Sequence, residues 1–66
     1  MEFLTKEEEN FLTLWVEENS EFPVTGELLY DVVCFARIWV AEGGYKDPSD
    51  IWEAFSTSPV GLTYFI

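Results

Sequence analysis

The apolar positions of this chain fall into three runs separated by Gly, Pro, Ser, Thr and Asp, and the middle run is the longest. It reads LLYDVVCFARIWVA from Leu28 to Ala41, with Asp31 and Arg37 as its only formal charges. At 100° per residue, Leu28, Val32, Phe35 and Trp39 share one stripe, and Leu29, Val33, Ala36 and Val40 share a second beside it. Tyr30, Cys34, Ile38 and Ala41 lie on the far side. The pattern predicts a central helix that is apolar almost all round and packed on more than one side.

Upstream, Phe11, Leu12, Trp15 and Val16 recur at i, i+1, i+4 and i+5 with Lys6, Asn10, Thr13 and Glu17 opposite, which predicts a helix from Lys6 to Glu18. Thr5 and Glu8 have the spacing of a capping box, and Glu7, Glu8 and Glu9 sit in a first turn where the helix dipole favours negative charge. Asn19 and Ser20 end this helix, and Phe22-Pro23 makes an extended link because the residue before proline avoids the helical region. Thr25 is the expected cap of the central helix, with Gly26 and Glu27 in its first turn and Gly43-Gly44 as a left-handed stop.

Downstream, Asp47-Pro48-Ser49-Asp50 is a third helix start, with a capping carboxylate followed by proline at the first helical position. Ile51, Trp52 and Phe55 give that helix an apolar side, and Asp47, Asp50 and Glu53 share an acidic one. Ser58-Pro59-Val60-Gly61 reads as a type I turn. Leu62 to Ile66 is then an apolar tail that either clamps the helices or forms a strand seeking a partner. The predicted fold is all-α: one compact three-helix domain over residues 1–66 with an extended apolar C-terminal tail.

Length makes this a demanding design, since a chain of 66 residues buries only about 60% of the surface it exposes when unfolded. A hydrophobic content of 48% with 18% aromatics nevertheless excludes a disordered acidic tail. With one cysteine, Cys34, and no histidine, neither an internal disulfide nor a zinc staple is available. The opening MEFLTKEEEN lacks the basic-then-apolar order of a signal peptide, and the apolar stretches are broken by charge well short of a membrane span. An intracellular, cytoplasmic, soluble protein is expected.

Charge changes the picture most. Thirteen Asp and Glu against three Lys and Arg give a net charge of −10, beyond the magnitude of about 2 to 8 that keeps a small domain soluble. This excludes binding to nucleic acid through phosphates, disfavours anionic membranes, and points to a positively charged partner. Crowded carboxylates also repel one another, so stability is expected to rise on moving from pH 7.5 toward pH 5 and on adding salt.

Catalytic chemistry finds little support. Without histidine there is no Ser-His or Cys-His pair, and Cys34 in mid-helix reads as a small core or interface residue. Gly43-Gly44-Tyr45-Lys46 follows a helix where a phosphate cradle follows a strand. The carboxylate pairs Glu17 with Glu21 and Asp50 with Glu53 lack calcium-loop spacing, and so small a domain gives them little cleft wall. No enzyme activity, cofactor or metal is expected. Arg37 has Val33 and Ala41 as its i−4 and i+4 neighbours, so its stem lies over apolar surface with the head in water, or it pairs with a carboxylate of the first or third helix.

Six Phe, three Tyr and three Trp exceed what so small a core encloses, so some aromatic rings face a partner, ringed by carboxylates. In size and charge balance the chain resembles the small acidic inhibitors that phages and mobile elements direct against host defence, the anti-CRISPR, anti-restriction and other DNA-mimicking proteins. The resemblance is one of composition over the whole chain. It implies a non-enzymatic inhibitor that occupies the cationic nucleic-acid site of a host protein. Glu7, Glu17, Glu18, Glu21, Asp47, Asp50 and Glu53 are the residues expected to stand in for phosphates. The alternative is an interaction or assembly module, a homodimer through the central helix or the tail, whose acidity serves solubility.

Overall fold

The computed structural model describes residues 3–21 and 23–64. Phe22 of the predicted link and Phe65 and Ile66 of the predicted tail lie outside them. The described residues form helices α1 (Lys6–Asn19), α2 (Gly26–Ala41), α3 (Pro48–Thr57) and the single turn α4 (Pro59–Leu62), with no strand among them. The all-α reading holds.

Local chemistry sets these boundaries. Thr5 Oγ1 accepts the Glu8 backbone N–H at 3.1 Å while the Thr5 N–H donates to Glu8 Oε1 at 2.9 Å, completing the capping box. Thr25 Oγ1 accepts from Leu28 N–H at 3.1 Å, and Asp47 Oδ1 accepts from Ser49 N–H at 3.0 Å with Pro48 at the first helical position. At the end of α2, Gly43 has φ +98°. The Gly43 N–H donates to Val40 O at 3.0 Å and the Gly44 N–H to Trp39 O at 2.8 Å, the Schellman arrangement that needs a left-handed residue.

Helix α2 runs antiparallel to α1, as the contact of Arg37 with Glu9 shows. Lys46 against Glu8 then sets the start of α3 beside the start of α1, giving an up-down-up bundle. Its centre is Leu12 and Val16 from α1, Leu28, Val32 and Ala36 from α2, and Ile51 and Phe55 from α3, with Val40 also buried.

Two expectations are corrected. The buried line of α2, Leu28, Val32, Ala36 and Val40, straddles the two predicted stripes, and Phe35, Trp39 and Leu29 pack at its edges. Tyr30 and Ile38 are 69% and 61% exposed, so α2 is covered on one broad side rather than all round. Three helices of this length supply only enough side chains for that side. Phe11, expected on the buried face of α1, is 59% exposed, whereas Leu12 and Val16 are buried.

After α3 the chain forms a helical turn where a type I turn and an extended run were expected. Ser58 Oγ accepts the Gly61 N–H at 3.1 Å, with Pro59 at the first helical position, so the grammar that starts α3 is used again. Gly61 is buried, and a Cβ there would run into the Phe55 carbonyl. This close approach returns Tyr64 to the bundle, where it packs on Phe55 and its hydroxyl donates to Asp31 of α2. The tail is therefore a clamp as far as Tyr64. Gly61→Ala is expected to cost about 2 kcal/mol in urea denaturation, as overpacking against a backbone group does. A loss under about 0.5 kcal/mol would show that α4 lifts from α3 freely.

Candidate functional site

The solvent face of α1 gathers much of the predicted acidic set. Glu7, Asn10, Phe11, Leu14, Glu17 and Glu18 follow one another at i+3 and i+4 steps and are all exposed, within about 120° of the helix. Phe11 and Leu14, 59% and 57% exposed, form an apolar centre with Glu7 on one side and Glu17 and Glu18 on the other. The acids at the two ends are about 15 Å apart along the axis. Glu21, just past the helix, and Glu27, in the first turn of α2, are exposed at the same end of the bundle as Glu17 and Glu18.

Of the three bases, Lys6 is exposed at the edge of this face, one residue before Glu7, and the other two pair with Glu9 and Glu8. No Lys or Arg occurs between Lys6 and Arg37. Arg37 is bound by Glu9 through Nε to Oε2 at 2.8 Å and Nη2 to Oε1 at 3.1 Å, so the ion-pair alternative is the one observed. Lys46 Nζ reaches Glu8 Oε1 at 3.2 Å. Arg37 and Lys46 thus each pair with a glutamate in the first turn of α1, on the side turned toward α2 and α3.

These pairs shift the carboxylates. The Thr5 backbone N–H and then Lys46 hold Glu8 below the usual range, and the Arg37 hydrogen bond does the same for Glu9. In each case the folded form binds fewer protons than the unfolded chain as acid is added. The stabilisation is complete above about pH 4.3, the ordinary glutamate value, and is lost as pH falls through the lower folded values. Melting temperature should therefore drop below about pH 4, and less steeply in Glu9→Gln. Equal slopes in the two proteins would show that the Arg37 pair contributes nothing. Tyr64 is pushed up to about 12 by its hydrogen bond to Asp31, and that contribution is present below its ordinary value and lost as pH rises through about 12.

The acids of α3 lie apart from the α1 face and from one another in role. Asp47 is exposed but its carboxylate caps the helix. Asp50 and Glu53 instead join Ala54 and Thr57 in one wall of a groove of about 440 Å³, whose other wall is Trp39 and Tyr45. The stripe of Leu28, Val32, Phe35 and Trp39 alone predicts an inward position for Trp39. The residue is half-buried, with its indole N–H donating to Tyr45 O at 3.0 Å. Any side chain at Gly44 would collide with that ring. The signal for this wall was the need of a tryptophan N–H for an acceptor, close to a glycine pair.

A second groove, of about 450 Å³, lies between the start of α1 and the end of α2, lined by Phe3, Leu4, Ile38 and Ala41 and rimmed by Glu9, Arg37 and Glu42. It is apolar with the Arg37–Glu9 pair at its edge. No helix among the described residues is long and apolar enough to cross a membrane. No protein-family model, curated protein or solved structure matches the chain.

Proposed function

We propose that the protein is a non-enzymatic inhibitor that binds a basic, nucleic-acid-binding protein and blocks its DNA or RNA site, with the outer face of α1 as the surface that enters it. The observation that carries this reading is the arrangement Glu7, Phe11, Leu14, Glu17 and Glu18 on one exposed face, on a chain of net charge −10. Carboxylates at both ends attract a cationic channel over long range, and a central pair of apolar side chains holds it after water is expelled. Glu21 and Glu27 extend the negative end, and Asp50 and Glu53 add charge on α3. The intracellular setting, with the host cytoplasm as the place of action, belongs to the same proposal.

Competition is the test. The protein alone should leave the mobility of duplex DNA and of RNA unchanged, yet release either from a target protein in proportion to the amount added. Formation of a ternary complex without release would place binding away from the nucleic-acid site.

A second reading, an assembly module that pairs with its own copy, is favoured by one observation: the groove at Phe3, Leu4, Ile38 and Ala41 exposes apolar surface beside an internally neutralised ion pair. Its signature is a sedimentation mass above 7.7 kDa that returns to the monomer value in Ile38→Glu.

A further inference from the structure

The groove between the end of α2 and α3 has a composition different from the other surfaces of the bundle, with aromatic rings on one side and carboxylates on the other. Trp39 is fixed there by three features. Its N–H is satisfied by Tyr45 O, its ring stacks on Phe35 with centroids 6.1 Å apart and planes 18° off parallel, and Gly44 leaves room for it to lie across the loop. Tyr45 is 77% exposed, so its ring costs little to reposition over a ligand. Across the gap, Asp50 and Glu53 sit one helical turn apart on α3, with Ala54 and Thr57 completing that wall. Arg37 pairs with Glu9 and Lys46 with Glu8, both on α1.

From this geometry we infer that the groove is a receptor for a guanidinium side chain, an arginine presented by the basic partner. Such a group is flat, always charged and weakly hydrated, so one face stacks on the indole or phenol while its edge donates to carboxylates. A lysine ammonium is a strongly hydrated point charge and uses the carboxylates but not the stacking surface as fully. At about 440 Å³ the groove is within the range of preformed ligand sites, and it is shaped by the same loop that ends α2. The net charge of −10 makes a cation the complementary occupant. The inference rests on the partner being basic, as proposed above. It adds a second contact, set on α3 apart from the α1 face, that reads one side chain instead of a charged channel.

The probe is a synthetic uncharged-backbone peptide, acetyl-Gly-Ser-Arg-Ser-Gly-amide, with Lys and citrulline versions, followed by ¹⁵N correlation spectra of the intact protein. The arginine peptide should move the Trp39 indole N–H and the amides of Gly44, Asp50 and Glu53. The lysine peptide should bind more weakly, and the neutral citrulline peptide should move none of them. Asp50→Asn with Glu53→Gln should weaken arginine binding by about tenfold, as should Trp39→Leu, in proportion to the loss of a charge pair or a cation–π contact. If Trp39→Leu fails to fold, Tyr45→Ala, which removes only exposed surface, replaces it.

Shifts that map instead to Glu17, Glu18 and Glu21, or that are equal for arginine and lysine, would overturn the assignment. So would an affinity unchanged by the double carboxylate variant. The two proposals fail separately. If the peptide leaves the groove unmoved while the protein still displaces nucleic acid from its target, the groove assignment alone is wrong. If the groove binds arginine but no displacement occurs, the site stands and the inhibitor reading falls.

Discussion

Phe55→Ala is expected to leave the protein largely unfolded at 25 °C. The ring is completely buried and is the point where the three long helices and the C-terminal clamp meet. Its centroid lies 5.6 Å from that of Phe35, which it meets edge-on, 5.9 Å from that of Trp52, on which it stacks, and 6.2 Å from that of Tyr64. Removing a buried phenylalanine costs about 3–5 kcal/mol through lost burial and the cavity left behind. A domain of this size seldom has more than about 3–5 kcal/mol to lose. Circular dichroism at 222 nm should therefore fall toward the coil value without denaturant, while Phe3→Ala, at 68% exposure, should melt like the parent. A cooperative transition in Phe55→Ala within about 1 kcal/mol of the parent would mean that the helices are held by something other than this core.

The second large effect concerns association. Neutralising Glu7, Glu17 and Glu18 together to Gln should slow binding to the target by tenfold or more at low ionic strength, since steering of this kind is worth about 10 to 1,000-fold in rate. The difference should shrink as salt rises and the Debye length contracts to about 8 Å. The three residues are exposed, so the fold should persist. Phe11→Ala should do the opposite, leaving the association rate near that of the parent and raising the dissociation rate, because an apolar anchor acts only after contact. Equal effects on both rates from both variants would show that charge and anchor are not separate functions of the α1 face. Neutralising Asp50 and Glu53 tests a different surface and should leave the contribution of the α1 face intact.

What could be read in advance follows from the range of the interactions involved. Caps act over three or four residues, so Thr5 with Glu8, Thr25, Asp47 with Pro48 and the Gly43 stop were all legible and fix α1 to α3 to within a residue or two. Ser58 with Pro59 carries the same signal, but a helix of four residues looks like a turn until Gly61 is seen against Phe55. The rotation of one helix against another is a property of the assembled core and has no local signature. For that reason Arg37 had two open destinations and Phe11 was placed inward. Once Leu12 and Val16 take the buried positions, Phe11 falls to the outside beside Leu14, and the apolar centre of the acidic face appears. Trp39 and Tyr45 were legible as aromatic residues, but their position opposite Asp50 and Glu53 depends on how the α2–α3 loop folds back.

The most direct measurement of the central claim is a competition titration. The immobilised protein is exposed to a nuclease-treated bacterial lysate at 50 mM salt, and the retained partner is purified and loaded with a fluorescent oligonucleotide it binds. The parent protein should displace the oligonucleotide stoichiometrically, with potency falling steeply as salt is raised, and the Glu7, Glu17, Glu18 variant should displace it poorly. Retention that persists at 500 mM salt, with the oligonucleotide still bound at saturating protein, would contradict inhibition by acidic mimicry.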